Sequence, residues 1–171
     1  MKKLVFLAAV LALLLSSLSC AAQTDDPLDV VMTLSEKEIS LPVGRIYHSS
    51  APEGSESYLS DEMLSSVYGI PTDYEGILSA AARLSSFSHP CELAVFLCKN
   101  TSSAEDVALF FRERVDTLTR EADYAASFCG LSTEEYLEYV RNAAVIISGR
   151  YVALIISSDT AAARKLLYSV L

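Results

Sequence analysis

Apolar and polar positions alternate in two different ways along this chain, and the change of rhythm marks its elements. Leu4 to Leu15 is an unbroken apolar run following Lys2 and Lys3. It is too short for a stable bilayer-spanning helix and has the length of a secretory h-region. Val30 to Leu34 reads as a first strand or a weak helix. The next stretch, punctuated by Pro42, Gly44, Pro52 and Gly54, is irregular, with Arg45-Ile46-Tyr47 as a short edge strand. Ser60 is placed to cap a helix with Met63, Leu64 and Val67 on one side, which Gly69 and Pro71 stop.

The second half is clearer. Residues 77–84 form a possible strand, and Leu93-Ala94-Val95-Phe96-Leu97 is a compact buried one. Ser102-x-x-Glu105 reads as a capping box opening the longest helix, residues 104–122, with Val107, Phe110, Phe111, Val115 and Leu118 at helical spacing. Ser132-x-x-Glu135 opens a shorter helix to about Val140. Residues 143–147 and 151–156 are β-prone and flank Ser148-Gly149-Arg150, the pattern of an antiparallel hairpin. Asp159 then caps a terminal helix with Ala163, Leu166, Leu167 and Val170 in one stripe.

This order predicts an α+β domain. Its mainly antiparallel sheet has about 3–5 strands with a C-terminal β-hairpin, packed with a long central helix and a C-terminal helix. A sheet with one wet face alternates apolar and polar residues, yet three of these strands are apolar throughout. Both faces are therefore expected to be covered, by the chain's own helices or in part by a partner or second copy.

The leader ends in Ser16-Ser17-Leu18-Ser19-Cys20, which resembles the lipobox of bacterial lipoproteins, where the cysteine is acylated and becomes the mature N-terminus. Ser17 and Ser19 are tolerated variants of that pattern. The alternative is ordinary cleavage after the small-x-small site Cys20-Ala21-Ala22, releasing a secreted soluble protein. The expected organisation is a lipoprotein signal peptide over residues 1–19, a lipid-anchored spacer over 20–29 and a single domain over 30–171.

Charge narrows the partners. The chain carries −9; Lys2 and Lys3 belong to the leader, so 11 of its 13 basic residues face 22 acidic ones in the mature protein, a charge of −11. That argues against nucleic acid and against electrostatic adhesion to anionic lipid. The membrane partner is then the anchor on Cys20. With Cys20 acylated, Cys91, Cys98 and Cys129 remain, an odd number that excludes a disulfide-built scaffold. One bridge stays open, most plausibly through Cys129 in the loop-like stretch around Gly130.

Several patches look like one family: Pro42-x-Gly44-x-Ile46-Tyr47, Tyr58-Leu59-x-Asp61, Tyr68-Gly69, Glu92-Leu93-Ala94-Val95-Phe96 and Gly149-x-Tyr151-Val152. Their order and spacing resemble an uncharacterised family of small Firmicutes-type bacterial lipoproteins sharing a domain of unknown function. The resemblance implies a lipobox and brings no activity, cofactor or catalytic residue. Structural roles also suit these residues: turns and caps at Gly69 and Gly149, core at Val95 and Phe96, buried rings with satisfied hydroxyls at Tyr47, Tyr68 and Tyr151.

Catalytic chemistry is hard to find. His48 and His89 lack zinc-site spacing. No G-x-S-x-G elbow, S-x-x-K motif or phosphate-binding glycine loop occurs. The adjacent carboxylates Asp61-Glu62 and Glu134-Glu135 point in different directions on a helix. The expectation is a non-catalytic protein without metal or cofactor, tethered through Cys20 to the outer face of the bacterial cytoplasmic membrane. There it serves as an envelope interaction module whose protein partner is unidentified. The alternatives are a small-solute or peptide-binding lipoprotein and, more weakly, a cell-wall hydrolase.

Overall fold

β3 (Glu92–Cys98) is the central strand, and its composition dictates the architecture around it. Leu93 and Val95 point to one face, Ala94, Phe96 and Cys98 to the other, and all five are buried. The structure, a computed structural model, describes residues 26–37, 44–85 and 90–171. In these residues, β1 (Gly44–His48), β2 (Ile77–Ser85), β3, β4 (Ala144–Ser148) and β5 (Tyr151–Ile156) form one sheet in the order β1-β2-β3-β5-β4. Every neighbouring pair is antiparallel. The fold is α+β, as the order of elements predicts.

Helices cover both faces. On one side lie α2 (Asp61–Tyr68) and the 20-residue α3 (Thr101–Arg120). Their Leu64, Tyr68, Val107 and Phe111 meet Ala82, Ala94, Phe96, Val152 and Leu154 of the sheet. Tyr68, Phe96 and Phe111 form a triangle of rings with centroids 5.0–5.4 Å apart. On the other side, α1 (Pro27–Glu36) and the terminal α6 (Thr160–Val170) bring Val30, Val31, Leu34, Ala163 and Leu167 against Ala81, Leu93, Val95 and Ile155. The run Ala80-Ala81-Ala82 on β2 leaves both layers room to approach the sheet. The chain thus covers its own apolar strands, and the partner alternative is not needed for the sheet.

Three expectations change. Of the two forms expected for the first apolar stretch it takes the helix, because Asp26 accepts from the Leu28 amide and Pro27 presets the first turn; what changes is that residues 27–29 belong to α1 rather than to a spacer. Asn100, not Ser102, caps α3, its Oδ1 accepting from the Ser103 amide at 2.9 Å. The stretch around Cys129 is a helix, α4 (Ala122–Cys129), closed by Gly130 at φ +67°. α4 and α5 (Thr133–Arg141) pack through Ala122, Ala126, Tyr136 and Val140 beside the end of α3. The Ser132–Glu135 capping box, the Asp159 cap and the Gly149 turn are all present.

Candidate binding cleft

Strand alternation forces one carboxylate inward. Glu92 shares the parity of Ala94 and Phe96, so its side chain enters the layer beneath α3 and is only 4% exposed. Arg114 sits three residues after Phe111 and shares the inner stripe of α3. Its Nη2 donates to Glu92 Oε2 at 3.4 Å, a long contact for an ion pair. Glu92 Oε1 and Arg114 Nε have no hydrogen-bond partner, nor has the hydroxyl of the neighbouring Tyr68. Tyr68 is buried as expected, with its hydroxyl against the Glu92 carboxylate. Burial pushes its phenol well above the ordinary value, the Glu92 charge adds to this, and Arg114 partly opposes it.

The pair opens into a cleft of about 280 Å³ at the junction of the sheet and the α4–α5 hairpin. Val67 of α2, Leu84 of β2 and Leu118 of α3 provide apolar wall. Ala125, Phe128 and Cys129 close it from α4, and Tyr136 from α5. On the other side of Arg114 a second groove, of about 320 Å³, runs between the end of α2 and Glu113 and Thr117 of α3, with Glu121 just past its end. A third cleft of about 270 Å³ lies along α5 beside Glu135, Tyr139 and Ser158.

The three cysteines among the described residues are not activated. Burial raises Cys91 to about 11, against a smaller opposing effect of a Ser158 backbone hydrogen bond. It raises Cys98 to about 11 as well, with Asp106 adding to the effect, and it raises Cys129. Thiols held protonated at neutral pH are weak nucleophiles. Cys91, Cys98 and Cys129 are thiols rather than disulfide halves. His48 shares a 2.8 Å hydrogen bond with Ser50, and Glu134 pairs with Arg141 at 2.7 Å while Glu135 is occupied by its capping box. These carboxylates do not converge. Among the described residues, no group of three or more His, Cys, Asp or Glu is placed to hold a metal ion, and no helix is long and apolar enough to cross a membrane.

Two further residues were not evident from periodicity. Tyr124 and Phe128, one turn apart on α4, are 71% and 60% exposed with ring centroids 4.7 Å apart. Reading that segment as a loop hid their common face. Cys20 and His89 lie outside the described residues. No family model matches the chain, and no curated protein or solved structure shows significant similarity to it.

Proposed function

We propose that this chain is a non-catalytic lipoprotein, tethered through Cys20 to the outer face of a bacterial cytoplasmic membrane, that binds a second envelope protein through α4. The Tyr124–Phe128 pair carries this reading: two large aromatic rings in edge-to-face contact on a helix, turned to solvent, beside an open cleft. Aromatic side chains are the anchors that protein interfaces favour, and burying such rings supplies much of an interface's energy. The chain is acidic in net charge, which favours solubility and a partner with a basic rim. The lipobox-like leader supports the location, and two acyl chains would make the attachment lasting, at about 0.8 kcal/mol per buried methylene.

The test is site-specific photo-cross-linking in the native cells. A probe replacing Phe128 should capture one recurrent envelope protein. A probe replacing Tyr168, which is 58% exposed on α6 in the opposite layer, should not. Identical products from both positions, or none from Phe128, would overturn the reading.

A further inference from the structure

The chain's own helices cover the faces of the sheet, but its two edges are not alike. An edge strand carries unpaired backbone groups that invite another strand, and folded proteins guard it with charges, irregular residues or covering segments. β1 is guarded in these ways. It contains Gly44 and Arg45, and Arg45 pairs with Glu56 at 3.2 Å. The His48 amide donates to the Ser57 carbonyl, and the His48 carbonyl accepts from the Leu59 amide. β4, at the opposite edge, reads Ala144-Val145-Ile146-Ile147-Ser148, without a charge, a glycine or a proline.

The register fixes which β4 groups are free. The Cys98 amide donates to the Arg150 carbonyl at 2.9 Å, so Val152 and Leu154 turn their backbone groups to β3. Tyr151, Ala153 and Ile155 then turn theirs to β4, where they meet Ser148, Ile146 and Ala144. Val145 and Ile147 are left with amides and carbonyls pointing outward, and among the described residues nothing bonds to them. Their side chains share the face under α3, where Val145 packs on the core and Ile147 stays 41% exposed.

We propose that two copies of this chain associate through their β4 edges, joining two five-stranded sheets into one antiparallel sheet across a two-fold axis. The sequence of β4 is complementary to itself in that arrangement. Val145 lies opposite Ile147 of the second copy, and Ile146 lies opposite its own counterpart. Each Val145–Ile147 pair exchanges both backbone hydrogen bonds and sets two β-branched side chains against each other. An uncharged strand gives a foreign peptide no charge to read, whereas symmetry matches it to its own copy. The two-fold axis is normal to the sheet, so α1 and α6 of both copies lie on the same side. Under the lipidation of Cys20 proposed above, two chains on one membrane meet in this way without turning over. Neither Tyr124 nor Phe128 takes part.

Sedimentation equilibrium of the full chain in density-matched detergent tests this, at about 0.15 M salt to screen the repulsion between acidic copies. The chain should dimerise with a Kd of about 100 μM or tighter. Ile147→Lys, at an exposed position, should weaken the dimer about tenfold or more, while Phe128→Lys should leave it unchanged. Amide exchange reads the same contact without a substitution: the Val145 and Ile147 amides should exchange about tenfold more slowly in the dimer than in the diluted monomer. A chain still monomeric at about 100 μM, a dimer indifferent to Ile147→Lys, a dimer lost in Phe128→Lys, or unprotected Val145 and Ile147 amides would each overturn the proposal. If Ile147→Lys fails to fold by circular dichroism, the exchange of the unaltered chain decides.

Discussion

Glu92 shows how one residue can set the character of a whole region. A buried ion pair contributes little net stability over an apolar replacement, but breaking it leaves a charge stranded. Arg114→Met should therefore destabilise the fold by about 3 kcal/mol in urea unfolding, at the low end because Arg114 keeps 25% of its side chain exposed. The double variant Glu92→Leu/Arg114→Met should recover most of that loss; failure to recover would mean the pair does more than neutralise itself. The buried thiols make a second prediction. Cys91 and Cys98 have folded values raised to about 11, above the ordinary thiol value near 8.5. Their contribution is full below that ordinary value and is lost as pH rises through the folded one, because the unfolded chain releases its protons first. Stability should thus fall between about pH 8.5 and 11, and Cys91→Ala/Cys98→Ala should flatten part of the slope. An equally steep decline in the double variant would assign it to the tyrosines alone.

At the scale of elements, the caps separate what local sequence specifies from what it leaves open. Ser132 and Glu135 make the capping box their spacing announces, with the Ser132 amide donating to Glu135 Oε2 at 2.8 Å. Ser102-x-x-Glu105 has the same spacing, yet α3 starts earlier because Asn100 takes the cap. Asn100→Ala should cost about 1 kcal/mol in thermal or urea unfolding, while Ser102→Ala, at the second helical position behind the Asn100 cap, should be nearly neutral. The reverse ranking would mean the cap is misassigned. Strands were legible because β3 and β5 are apolar runs bounded by turns, and Gly149 at φ +58° supplies the turn between β4 and β5. α1 and α4 were harder. Short helices gain their stability from tertiary packing more than from propensity, and α4 rests on Tyr136 and Val140 of a neighbour. The cleft was the least legible feature. Glu92 was visible at the head of an apolar run, but only the sheet's register and the rotation of α3 bring Arg114 to it, 22 residues along the chain.

For the whole molecule, the first question is where it resides. Cys20→Ala should move the protein from the membrane fraction to the medium or leave it as an unprocessed precursor. Unchanged membrane fractionation with an N-terminus at Gln23 would refute lipidation. Between Cys20 and the Asp26 cap of α1 there is little chain, spanning at most roughly 20 Å even fully extended. α1 belongs to the layer it shares with α6, whereas the cleft and the α4 aromatics lie in the other layer, across the five-stranded sheet. The sheet therefore works as a partition. On the proposed lipidation of Cys20, a short leash entering through the α1 layer would hold that side towards the lipid and leave the side carrying Glu92, Arg114 and Phe128 looking outward, where solutes and neighbouring proteins arrive.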